Sequence, residues 1–561
     1  MQALIRDVAY DALGPAERRA RHLAAARYFE RVDNDEQAGL LASHYLAAME
    51  ASSPGPEARA LAIQSRLALV GAAERAAALG AHERATEYLR QAASLVDDDH
   101  VKIDLVIRAA NSAEAGGAHE TAEELAREAA ALANALGNRA DVGRALALTG
   151  EALIGRGLLH EAISVLEAAL RAQDDGATSL TGAIDQSAGD PDGLAALLAS
   201  LSRAQMRADL PVAAIGTADR ALEIAERRGL DWIVAETFNN KGSSLCALGR
   251  KREAAALINA AIDVAREGGL VAAEVRATTN LAHMTEDLHL GRDLYLRSAR
   301  LARRAGNRTG AMWAAAAARM LAYELAEGWD AAVAEAAVEI TDAGPGRALP
   351  PLDEIRARYG AGLIRVARGL SVDTDIERLA ELCNLVSDGI GRAVLHVLTG
   401  ESALLGGDGR AAVAELLGAA DALAKESTVF LAGAMRAAVW GRDLAAAREV
   451  AARLERDPST STPTEARRLV ARAGVAALEG RAPDAARLYG DGIARLRNHG
   501  LAFEQARCTL DAAMLLSPAE PAIASELEAA RRIFERVGAA PYLDRLAAIT
   551  AGSGPREAAR R

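Results

Sequence analysis

Aromatic side chains are scarce: Phe, Trp and Tyr make up 3% of the 561 residues, while the hydrophobic class reaches 51%. β-sandwiches and barrels lean on aromatic and β-branched side chains, so this composition argues against them. Cysteine is nearly absent as well. Cys246, Cys383 and Cys508 stand alone, with neither CxxC nor finger spacing, which excludes a disulfide framework and fits small thiols in a reducing cytoplasm. No run of about 18 apolar residues occurs. The start carries Arg6, Asp7 and Asp11 where a signal peptide would be apolar. A cytoplasmic protein with no membrane partner is expected. An excess of positive charge is missing too: the formal net charge is -12, which disfavours nucleic acid as a partner, because a general binder needs a basic face against phosphates.

The familiar chemical motifs are also missing. The chain has no GxxxxGK[ST] phosphate loop, no GxSxG elbow and no HExxH helix. The glycine-rich stretch from Thr399 to Arg410 lacks the Lys-Ser/Thr pair of such a loop. No catalytic, cofactor-binding or metal-ligating residue is expected. His82, His119 and His160 are each followed by Glu, but each lies two or three residues past a turn glycine. Repetition explains them. His283, Glu286, Asp287 and His289 form a denser group that reads as the solvated face of a degenerate repeat.

What is present is Ala and Leu, strong helix formers, arranged in a recurring pattern. Phe238, Gly242, Leu245, Gly249, Ala254, Ile258 and Ala261 form its clearest copy. Leu146, Gly150, Leu153, Gly157, Ala162, Leu166 and Ala169 repeat the spacing. Such a unit is a helix–turn–helix of tetratricopeptide type, in which the first-helix glycine marks the crossing of two helices and the second glycine caps the turn. Ala162, Ala254 and Ala412 are expected to face Gly150, Gly242 and Gly400. Turns fall near residues 80, 117, 157, 209, 249, 287, 328, 369, 407, 441 and 480. The fold class is therefore all-α: a right-handed tetratricopeptide-like α-solenoid of about ten helical pairs, each repeat burying its apolar face against its neighbours.

Three stretches break the rhythm. Asp174 to Gly193 reads as an inserted loop, Thr341 to Pro351 with its three prolines as a boundary, and Asp457 to Pro463 as a long turn. The expected organisation is a linker segment over 1–50, solenoid parts over 51–345 and 346–548, and a disordered tail over 549–561. The groove should be lined by first-helix residues. The polar run Asn239, Asn240 and Lys241 is its candidate binding site, since amides clamp a peptide backbone and Lys pairs with a carboxylate. A basic helix carrying Arg18, Arg19 and Arg27 is a candidate docking element.

Leu4-Ile5-Arg6-Asp7-Val8-Ala9-Tyr10 resembles the motif that closes the winged-helix domain of bacterial STAND-type signalling ATPases, ahead of their tetratricopeptide array. His44-Tyr45 resembles the helix that follows, and Arg531 to Asp544 resembles the last helices. The family's motif histidine falls on Gln2, so the chain is expected to begin inside the winged-helix domain. Ala548-Ile549 and a short tail leave no reader helix, which makes the cyclase-associated type the nearer likeness and the LuxR-type regulators the alternative. The resemblance implies a non-catalytic interaction or sensor scaffold that takes a protein or peptide partner in its concave groove and works with an ATPase or cyclase module. A LuxR-type regulator without its DNA-binding domain, or an enzyme with an unpatterned site, are the competing readings.

Overall fold

The computed structural model describes Tyr10 and residues 12–32, 37–174, 191–341, 349–386, 389–424 and 427–551. Among these residues there are 27 helices and no strand. By compactness the chain divides into a unit of residues 1–284 with 297–311 and a unit of 285–296 with 312–561. The boundary expected between residues 345 and 346 lies outside the described residues.

The first unit opens with α1 (Pro15–Val32) and α2 (Ala38–Glu50). Pairs follow: α3 (Pro56–Ala78) with α4 (His82–Ser94), α5 (Asp99–Ala115) with α6 (His119–Ala135), and α7 (Arg139–Gly155) with α8 (Leu159–Asp174). Then come α9 (Pro191–Arg207) with α10 (Pro211–Arg228), α11 (Asp231–Ala247) with α12 (Lys251–Glu267), and α13 (Val271–Met284). The residues of α14 (Leu288–Arg304) and α15 (Arg308–Leu325) are divided between the units. The second unit continues with α16 (Trp329–Thr341), then α17 (Pro351–Ala367) with α18 (Asp373–Cys383), and α19 (Gly389–Leu405) with α20 (Gly409–Ala422). After these come α21 (Ser427–Trp440) with α22 (Leu444–Arg456), α23 (Thr462–Leu478) with α24 (Ala482–His499), α25 (Ala502–Leu515) with α26 (Pro521–Val537), and a closing α27 (Ala540–Thr550).

All eleven expected turns fall between consecutive helices, and a twelfth, from Leu516 to Glu520, joins α25 to α26. The turn geometry explains the glycines. At Gly157, φ is +79°, Leu158 N–H donates to Leu153 O at 2.9 Å, and Gly157 N–H donates to Ile154 O at 3.0 Å. This is a Schellman cap, which needs a left-handed residue that glycine adopts without penalty. Arg442 occupies the same place after α21 with φ 51°, and Asp443 N–H donates to Ala438 O at 2.9 Å. Asp209 (φ 60°) and Ala326 (φ 52°) do likewise.

The helix crossings differ from expectation in one respect. A Cβ on Gly150 would lie 2.7 Å from Leu166 Cδ1, one on Gly242 2.6 Å from Ile258 Cγ1, and one on Gly400 2.8 Å from Leu416 Cγ. The side chain over each glycine is thus the bulky residue one turn beyond the expected alanine. Ala162, Ala254 and Ala412 are wholly buried beside it, and the Ala254 carbonyl oxygen would lie 3.1 Å from the added Cβ of Gly242.

The expected loop from Asp174 to Gly193 is shorter at its end. Pro191, Asp192 and Gly193 form the first turn of α9, where proline's missing N–H costs nothing; residues 175–190 lie outside the described residues. The long turn after α22 runs over Asp457 to Ser461, and Thr462 and Pro463 already belong to α23. Of the tail expected over 549–561, Ile549 and Thr550 belong to α27, and residues 552–561 lie outside the described residues, as does the Leu4-to-Ala9 motif.

Candidate functional site

The helices α9, α11 and α13 are the first members of successive pairs, and their polar residues converge. Arg203 and Arg207 are four apart on α9. Arg276, Asn280 and His283 keep the i, i+4, i+7 spacing on α13, so each set shares one helix face. Together with Ser243 on α11 they line a cavity of about 440 Å³, within the range of small-ligand sites. Met206, Cys246 and Met284 form its apolar wall, and Asp209 sits among the lining residues.

The three arginines are held differently. Arg203 pairs with Glu151, whose other oxygen accepts from Ser200 Oγ at 2.8 Å. Arg276 pairs with the Glu236 carboxylate and donates to Asn240 Oδ1 at 3.1 Å, while its Nε is buried without a partner. Arg207 makes no hydrogen bond or ion pair with any described residue. Burial, then the neighbouring Arg203 and Arg207 charges, hold the Arg276 guanidinium well below the usual arginine range; nearby Glu151 opposes this. Burial and Arg203 lower Arg207 as well. Burial raises the Cys246 thiol above its ordinary value, against a weaker pull from Lys251, so it is a poor nucleophile.

The candidate residues on α11 lie behind this cavity. Asn239 and Asn240 are each 1% exposed. Asn240 Nδ2 donates to Ala199 O at 3.2 Å on α9, and Asn239 Oδ1 accepts from Asn280 Nδ2 at 2.9 Å on α13. These amides stitch three repeats together. Lys241 pairs with Asp219 on α10 at 2.5 Å. Sequence reasoning missed the flanking arginines, although their fourfold spacing was visible.

On α1, Arg18 Nε donates to Leu13 O at 2.9 Å and its guanidinium lies 4.9 Å from the Tyr10 ring centre. Arg19 pairs with Glu57 at 2.7 Å, and Arg27 is exposed. His82 and His119 begin α4 and α6, and His160 is the second residue of α8. A Cβ on Gly116 would meet His82 Cβ at 2.9 Å, and one on Gly155 the His119 ring at 2.4 Å. The first two histidines therefore pack against the next repeat. Asp287 caps α14, accepting from His289 N–H at 3.0 Å and Leu290 N–H at 3.1 Å. Among the described residues no group of His, Cys, Asp and Glu is placed to hold a metal ion.

The second unit buries a group of charges in pairs. Arg467 Nε and Nη2 donate to both oxygens of Glu504, at 2.9 and 2.7 Å. Arg436 Nε and Trp440 Nε1 donate to the two oxygens of Asp511, at 3.1 and 2.7 Å. Arg507 Nη1 donates to Glu401 at 3.3 Å and lies over the Phe503 ring at 5.0 Å. The space left beside Arg436, Arg467 and Asp511 is about 10 Å³, room for one water at most. This network is architecture; the open cavity of the first unit is the candidate site.

No protein-family model matches the chain, and no curated protein is detectably similar to it. The solved structures similar to it are of low identity. BtubC (BKLC) from P. vanneervenii is 18% identical over 45% of this chain and 92% of its own, with a TM-score of 0.29. A STAND protein with a tetratricopeptide repeat sensor from Pyrococcus horikoshii is 13% identical over 66% of this chain and 52% of its own, at 0.29. Yeast Tom70 is 11% identical over 91% and 99%, at 0.30. The chain is a tetratricopeptide-like helical repeat, and no helix among the described residues is long and apolar enough to cross a membrane.

Proposed function

We propose that the chain is a non-catalytic binding scaffold, the sensor region of a cyclase-associated STAND signalling ATPase, with its partner face on α9, α11 and α13. One observation carries this reading. The first unit has an open cavity lined by three arginines, whereas Arg436 and Arg467 of the second unit are paired and sealed. Charges kept open to solvent suit recognition. A protein partner seated on this face would bias an attached ATPase by its differential affinity for that enzyme's two states.

The test has two arms. Purified chain supplied with ATP and magnesium is expected to release no phosphate and form no cyclic AMP; reproducible turnover would overturn the reading. In cells, a photoreactive residue at exposed position His283 is expected to yield a discrete protein adduct, while the same residue at exposed Arg252 on α12 yields none. Equal adducts at both positions, or none at either, would remove the partner from this face.

A further inference from the structure

We infer that the cavity between α9, α11 and α13 is a binding site for a small dianion, a phosphate monoester or a dicarboxylate of metabolite size. This goes beyond the scaffold reading and shares with it the observation of the cavity, adding the pairing of its arginines. Among the described residues, three guanidiniums and a single carboxylate, Asp209, line the cavity, in a chain whose net charge is -12. A cationic lining in an acidic chain is a local feature with its own cause.

The arginines cannot all be accounted for by internal pairing. Glu151 takes Arg203 and Glu236 takes Arg276, which leaves Arg207 without a counter-ion among the described residues. Arg276 Nε is a buried donor with no acceptor among the described residues, and an unmet buried donor costs free energy that a ligand oxygen would recover. Asn280 Nδ2 is already committed to Asn239 Oδ1 and Ser243 Oγ, at 2.9 and 3.3 Å, so the guanidiniums supply the free donors. Guanidinium forks match the oxygens of phosphate and carboxylate groups. The like charges of Arg203, Arg207 and Arg276 repel one another, and a dianion between them would turn that repulsion into attraction.

Size selects within this chemistry. About 440 Å³ is far more than a lone anion fills, and Met206 and Met284 offer a compliant apolar wall for a short carbon body. Asp209, in its left-handed turn at φ 60°, disfavours charge at its own edge of the cavity. The charged head therefore belongs at the arginines and the carbon body at the methionines.

Calorimetric titration of the full chain with glycerol 3-phosphate and, separately, with succinate tests the site, with glycerol and sodium chloride as controls. Saturable binding is expected with a Kd on the order of 1 mM or tighter for at least one of the two. A response to glycerol 3-phosphate assigns a phosphate head; a response to succinate alone assigns a dicarboxylate. Arg207→Gln should weaken binding at least tenfold and Arg207→Lys less, while Arg252→Gln leaves it unchanged. Arg207 makes no bond with any described residue, so an unaltered ligand-free melting temperature will confirm that the variants are folded. Absence of saturation with both compounds, or equal weakening by Arg252→Gln, would overturn the proposal. Either result leaves the photo-adduct at position 283 to decide the partner face on its own.

Discussion

Ile258 closes over the bare Cα of Gly242, so that a single added Cβ would sit 2.6 Å from Ile258 Cγ1. A side chain fits there only if Ile258 gives way or α11 and α12 move apart. Gly242→Leu is expected to destabilise the chain by about 1–3 kcal/mol through overpacking, read as a lower denaturant midpoint. Adding Ile258→Ala should restore part of the loss. An unchanged midpoint in the single variant would show that the crossing tolerates bulk.

The turn after α21 makes the opposite experiment possible. Arg442 is exposed and holds φ 51° where Gly157 holds +79°. A left-handed conformation costs a non-glycine residue roughly 1–2 kcal/mol, and glycine's greater freedom when unfolded returns part of that. Arg442→Gly should therefore stabilise slightly, by up to about 1 kcal/mol. Gly157→Ala should destabilise by a similar amount. If both changes move the midpoint in the same direction, backbone strain does not govern these turns.

Arg467 and Glu504 form a bidentate pair in which both side chains are less than a tenth exposed. Removing one partner strands the other charge in the interior. Arg467→Met or Glu504→Leu alone is expected to cost about 3–5 kcal/mol. Arg467→Met combined with Glu504→Leu should cost clearly less than the sum of the two single changes, because no ion is then left behind. Denaturant unfolding of all four proteins gives the coupling energy, and strict additivity would contradict this account.

Glu324 gives the second unit a pH dependence. Its Oε2 is buried without a hydrogen-bond partner. Burial first, then the Glu504 charge, push its pKa up to about 7, against the pull of Arg507, Arg467 and Arg436. The folded chain thus holds this proton more tightly than the unfolded one. The stabilising contribution is complete below the unfolded value of 4.5 and is lost as pH rises through about 7. Glu324→Gln should consequently gain melting temperature relative to the parent across that window, with the gap widening as pH rises. A constant difference from pH 5 to pH 8 (about the span of the titration) would show that the group does not titrate there.

The repeat was readable because its physics is local. A turn that needs a left-handed residue selects glycine, and a crossing that excludes a Cβ does the same, so one glance along Gly242 and Gly249 locates two helices. Where the device changes, legibility fails. The turn from Leu516 to Glu520 has no glycine, so the pair α25 and α26 carries no glycine turn signal in the sequence. Asn239 and Asn240 look solvated in sequence, yet helices on both sides of α11 cover them. The cavity depends on Arg203 and Arg276, far apart in sequence and brought together only by stacking α9, α11 and α13. Only the spacing within each helix hinted at it.

Phe503 lies edge-on to Tyr323, Trp329, Phe534 and Tyr542, with ring centres 4.9–6.1 Å apart. In a chain so poor in aromatics this cluster has a spectroscopic consequence. Trp313, Trp329 and Trp440 all belong to the second unit, while the remaining tryptophan, Trp232, is 48% exposed in the first. A red shift of tryptophan emission on unfolding will therefore come from the C-terminal half. Far-ultraviolet circular dichroism weighs both halves by helix content. If the two optical signals part company along a denaturant titration, the units melt separately, and the chain needs no added label to show it.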